Sequence, residues 1–81
     1  MTEAQFQSKI IRQLQKEGWY VVKLIKTNIN GIPDLVAFKK GEEPKFIEVK
    51  AKNGVLSKLQ EFRIKELNDL GINAEVWRAD S

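Results

Sequence analysis

Two short motifs carry the chemically suggestive residues of this chain: a Pro33-Asp34 step and a Glu48-Val49-Lys50 triplet. Side chains alternate faces along a strand, so Phe46, Glu48 and Lys50 share one face and Ile47, Val49 and Ala51 the other. The second set reads as core. The first puts a carboxylate and an ammonium on a segment that otherwise looks buried, where charges need partners. A hairpin pairing Lys39 with Lys45 sets Asp34 opposite Lys50, and a slip of two residues sets it opposite Glu48. Both even registers gather Asp34, Glu48 and Lys50 on one face, with opposed or diagonal Cβ atoms within roughly 5–8 Å. Two carboxylates that close repel unless protonated or bridged by a cation. A hard divalent ion such as Mg²⁺, at about 2.1 Å from each oxygen, resolves the conflict. A lone Glu-x-Lys is ordinarily a surface pair, and an Asp after Pro is ordinarily turn chemistry. Here the combination, with a hairpin of matching length between apolar flanks, points to a site.

The elements that must hold these residues are readable in turn. Thr2 to Gln5 has the form of a capping box, and Phe6, Ile10, Ile11 and Leu14 follow at helical spacing, so a helix is predicted over 2–17, closed by Gly18. Residues 19–26 are rich in β-branched and aromatic types and read as a strand, with Tyr20, Val22 and Leu24 on one face. Asn28 to Pro33 is loop chemistry. Strands are predicted at 35–39 and 46–51, joined by a turn over 40–44. Ser57 to Gln60 repeats the capping box and opens a second helix. Its apolar face is Leu59, Phe62, Leu67 and Leu70, with Arg63, Lys65 and Glu66 toward solvent; Gly71 ends it. A last strand covers 72–78. The order αβββαβ implies an α/β fold with a mixed central sheet flanked by helices. The helix between the third and fourth strands implies a right-handed crossover and parallel pairing there.

Composition narrows the chemistry. The chain has 81 residues, no Cys and no His. A length of this order makes one domain, 1–81, with a modest core, so oligomerisation is the expected source of added stability. Disulfides, Cys/His zinc sites, His general bases and thiol nucleophiles are excluded. A metal held by oxygen ligands is not. The net charge of +3 and sequence pI near 9.3 are compatible with a nucleic-acid partner. No apolar run approaches a membrane span and no signal peptide is apparent, so an intracellular location is expected.

Gly31-Ile32-Pro33-Asp34-Leu35, then Ile47-Glu48-Val49-Lys50, then Leu56-Ser57-x-x-Gln60 together resemble the PD-(D/E)xK nuclease superfamily and, within it, the VRR-NUC (virus-type replication-repair nuclease) family. The early Glu3 and the Gly18-Trp19 helix ending fit too, so the likeness covers nearly the whole chain. It implies a restriction-endonuclease-like core and Mg²⁺- or Mn²⁺-dependent phosphodiester hydrolysis. Asp34 and Glu48 would be direct metal ligands, with the Val49 carbonyl a further one, and Lys50 would orient the attacking water. Glu3 would assist the metal, often through water; its other reading is a helix-start acid favoured by the dipole. Gln60 would reach the site; its other reading is the capping partner of Ser57.

Lys52 and Lys58 flank the expected site and are candidates for DNA phosphates, as are Lys26 on the first strand and Lys9 and Arg12, which share a helix face with Lys16. The resemblance further implies structure-selective cutting of branched DNA such as Holliday junctions, in the cytoplasm of a phage host or bacterium. A homodimer would serve paired cuts. No membrane and no small-molecule cofactor is expected. The alternatives are a non-catalytic DNA-binding or interaction module on a nuclease fold, a nicking or restriction-like nuclease, and an RNA substrate.

Overall fold

The computed structural model describes residues 1–80. The chain runs α1 (Glu3–Lys16), β1 (Tyr20–Lys23), β2 (Leu35–Phe38), β3 (Lys45–Lys50), α2 (Lys58–Asp69) and β4 (Asn73–Arg78). The sheet order is β1-β2-β3-β4. β1 and β2 pair antiparallel, β2 and β3 antiparallel, and β3 and β4 parallel. This is the αβββαβ order and mixed sheet that the sequence predicts, with α2 making the crossover.

Local chemistry sets the helix ends. Both capping boxes form: Thr2 with Gln5 on α1, and Ser57 with Gln60 on α2. Gly18 sits at φ 93° and Gly71 at φ 85°, a conformation that glycine adopts without the Cβ penalty. Each lets the next residue close the helix from behind: Trp19 N–H donates to the Leu14 carbonyl at 2.9 Å, and Ile72 N–H to that of Leu67 at 2.9 Å.

Ile10, Leu14, Leu35, Ala37, Ile47 and Val49 form the core between α1 and one face of the sheet, with Phe6, Ile11, Trp19, Val21 and Trp77 packed round it. Lys45 begins β3 on that same face. Its ammonium lies 4.8 Å from the Trp19 ring centroid and 6.0 Å from that of Trp77, so the aromatic faces replace part of its lost water.

The opposite face carries the site and α2, and here the helix departs from its sequence reading. Of the apolar set Leu59, Phe62, Leu67 and Leu70, only Leu67 is buried; Leu59, Phe62 and Leu70 are exposed. Arg63, expected in solvent, is only partly exposed. Its Nε donates to the Asn30 carbonyl at 2.8 Å. A helix wide in apolar residues can turn only one side to the sheet.

Candidate active site

The register decides what Asp34 faces. Leu35 pairs with Ile47 and Val36 with Phe46, which carries Asp34 opposite Glu48, the second of the two alternatives. Asp34 precedes β2 and is held from both ends. Its carbonyl accepts from Leu24 N–H at 2.8 Å. Its carboxylate Oδ2 accepts from Val49 N–H at 2.9 Å. Pro33 before it is fully buried.

Two features of the Gly31-Ile32-Pro33-Asp34 run explain its composition. Gly31 sits at φ 81°, and a Cβ there would lie 2.7 Å from Leu59 Cγ. The loop therefore leans backbone-first on α2, where no side chain fits. The Arg63 bond to Asn30 fastens the same contact.

Glu48 and Lys50 emerge on one face of β3, only 2% and 9% exposed. β3 is the third of four strands, so their position is central. Glu48 bears the cost. Burial first, then the hydrogen bond and negative charge of Asp34, push its carboxyl up to about 8; Lys50 pulls the other way and Glu3 adds a small push. The Glu48 carboxyl thus resists giving up its proton beside Asp34.

Gln60 satisfies both of its readings at once. Its Oε1 accepts from Ser57 N–H at 2.9 Å, and its Nε2 donates to Glu48 Oε2 at 3.4 Å. The cap holds the amide oxygen, which turns the nitrogen to the site. Glu3 is exposed at the start of α1. Its charge reaches Glu48, yet among the described residues no group of three carboxylates is gathered closely enough to hold a metal. The donor set is the Asp34–Glu48 pair. Two adjacent carboxyls in a desolvated place, one forced to keep its proton, suit a hard divalent cation that would let both ionise.

An open cleft joins this pair to its surroundings, lined among others by Ile25, Lys26, Asn30, Gly31, Asp34 and Gln60. Lys26 thus stands on the cleft wall. Lys52 is exposed on the loop after β3 and Lys58 at the start of α2. Lys9 and Arg12 are exposed on α1, lining a shallow hollow with Met1 and Gln5. Sequence reading missed Arg63 and the Val49 N–H as holders of Asp34's loop. The Arg63 contact spans a separation that no local pattern announces.

The chain matches the VRR-NUC domain over residues 1–81. It belongs to the VRR-NUC family. This is a nuclease-type domain, which implies a DNA substrate. No curated protein matches the chain. No helix among the described residues is long and apolar enough to cross a membrane.

Proposed function

We propose that this VRR-NUC protein is a Mg²⁺- or Mn²⁺-dependent endonuclease that hydrolyses phosphodiester bonds in branched DNA, four-way junctions included. The observation that carries the reading is the half-buried Asp34 beside the buried Glu48, with Lys50 on the same strand face. Glu48, at 2% exposure with its carboxyl pushed up to about 8, is costly to keep as a free side chain, and a structural role would be served better by an apolar residue.

In this reading Asp34 and Glu48 hold the cation, and Val49 lends its backbone. Its N–H already faces Asp34, and strand geometry sends its carbonyl to the same side. The cation supplies charge neutralisation at the scissile phosphate and a lowered pKa for water. Lys50 aligns the attacking water and offsets negative charge as the phosphate gains it. Gln60 fixes Glu48 through its amide nitrogen. Glu3 acts from further out, through water. Lys26, Lys52 and Lys58 contact phosphates beside the cleft, and Lys9 and Arg12 extend the basic track along α1.

A second copy of the chain completes the assembly, giving two sites for paired cuts. Leu59, Phe62 and Leu70 form an exposed stripe on α2 at 43%, 54% and 71% exposure. The stripe continues past Gly71 to Ile72, which lines an apolar groove with Val36, Phe38 and Phe46. Beside it Lys65 and Asp69 stand 2.8 Å apart, both exposed. Such a flank is self-complementary. A two-fold antiparallel pairing of α2 sets Phe62 of one copy against Leu70 of the other and each lysine near the opposite aspartate.

The test is a panel of linear, flap and four-way-junction DNAs, each with Mg²⁺, Mn²⁺ and EDTA. The expected result is cutting of the junction with either metal and none in EDTA. Equal cutting of linear DNA would reassign the protein to a nicking or general nuclease. Tight junction binding with no cutting under any metal would leave a non-catalytic module.

A further inference from the structure

Two aliphatic side chains on the loops beside the candidate site take no part in the core. Ile25 is 84% exposed and Val55 82%, more than any other large hydrophobic residue described. Single exposed aliphatics need no explanation. This pair differs in its placement, its neighbours and its anchoring.

Ile25 belongs to the loop over residues 24–33 and lines the cleft together with Asp34 and Gln60. Val55 belongs to the loop over 51–57, next to Gly54. A Cβ on Gly54 would come within 3.4 Å of the Lys50 side chain, so this loop lies against Lys50 of the same site. Each aliphatic has cations beside it: Lys23 and Lys26 for Ile25, Lys52 and Lys58 for Val55, all exposed.

Both loops are tethered. The first is held by Leu24 N–H to the Asp34 carbonyl at 2.8 Å, by Thr27 Oγ1 to the Ile29 carbonyl at 2.8 Å, and by Arg63 to Asn30. The second is held by Gly54 N–H to the Ala51 carbonyl at 3.0 Å and by Arg78 to the Gly54 carbonyl. Ile and Val are also stiff at χ1. An apolar tip on a fixed loop loses little conformational freedom when it is buried by a ligand.

Resting on the nuclease reading above, we propose that Ile25 and Val55 are wedges that insert against unstacked bases where branched or bent DNA crosses the cleft. Apolar wedges set among phosphate-binding cations open a base step and hold the bend. Intact duplex offers no unstacked face, so it gains less from the wedges. The preference for branches then lies in these side chains, while Asp34, Glu48 and Lys50 treat every phosphodiester alike.

The test uses a four-way junction with 2-aminopurine at the branch, whose fluorescence rises on unstacking. It is bound by the full chain in EDTA, so that the readout is independent of cutting. Wild type should raise the fluorescence, and Ile25→Ser with Val55→Ser together should abolish the rise. Each single substitution should weaken junction binding about tenfold while leaving linear-duplex binding and the salt slope unchanged. Ile25→Val and Val55→Ile should retain the effect. At such exposed positions the serine variants should keep the wild-type thermal midpoint, which separates the effect from misfolding. No fluorescence rise with wild type, or an equal rise with the double variant, overturns the wedge assignment even if the junction is cut. A rise that depends on the wedges, in a protein that cuts no DNA with any metal, sinks the nuclease reading and leaves the wedges standing.

Discussion

Replacing Glu48 by glutamine should stabilise the metal-free protein at alkaline pH while ending its activity. The Glu48 carboxyl is pushed from 4.5 up to about 8 by burial and by Asp34. Its folded pKa therefore lies above its unfolded one. Below about pH 4.5 both states hold the proton and the site costs nothing through this group. Between about 4.5 and 8 the native state keeps a proton that the unfolded chain has released, so stability falls as pH rises, by at most about 1.4 kcal/mol per pH unit. Summed over the window the loss reaches about 5 kcal/mol, a ceiling comparable to the whole stability of a small domain. Glutamine has nearly the same shape and no proton to lose, and its amide can donate to Asp34 as the protonated acid does. The assay is urea denaturation in EDTA from pH 5 to 9, reading the difference between wild type and Glu48→Gln, in which titrations remote from the site cancel. The difference should grow with pH in favour of the variant and level off above about pH 8. Mg²⁺ or Mn²⁺ should restore wild type at pH 8 and leave the variant unmoved. A difference that is flat across the range, or grows the other way, would refute the reasoning.

Further outcomes follow from the same geometry. Gly31→Ala adds a Cβ 2.7 Å from Leu59 Cγ at φ 81°, and should cost about 1–2 kcal/mol from the backbone alone; unchanged denaturation would contradict the close packing. Gln60→Ala and Ser57→Ala should each cost about 1 kcal/mol as lost caps, but only Gln60→Ala should slow cleavage, because it alone contacts Glu48. Alanine at Lys26, Lys52 or Lys58 should lower the slope of log affinity against log salt by about one each in anisotropy titrations; an unaltered slope removes that lysine from the phosphate track. Sedimentation should report a dimer that Leu70→Glu splits, and a monomeric wild type at micromolar concentration would remove the α2 interface.

Much of this was legible in the residues, for identifiable reasons. Both capping boxes and both closing glycines act within a few residues, so local pattern suffices to find them. Strand alternation correctly put Glu48 and Lys50 on one face. The hairpin register stayed open between two choices, because side-chain alternation is satisfied by any even slip; the turn between Phe38 and Lys45 settles it. α2 misled for a different reason. Helical periodicity finds an apolar stripe but not what covers it. Leu59 and Leu70 lie about 60–80° round the helix from the buried Leu67, and Phe62 about 140°. Least legible were the long-range contacts: the Val49 N–H that fixes Asp34, and the Arg63 bond to Asn30. Both join segments far apart in the chain, and neither changes the local pattern.

The central claim is that Lys50 and the two carboxyls cut DNA with a divalent cation, and single-turnover cleavage of a four-way junction by wild type and Lys50→Met tests it most directly. Methionine keeps the length and apolar stem of the lysine and loses its charge. Wild type should cut with Mg²⁺ and stop in EDTA. The variant, with an unchanged circular dichroism spectrum, should be slower by at least about 10²-fold. Cutting by Lys50→Met at the wild-type rate, or wild-type cutting that persists in EDTA, would contradict the account.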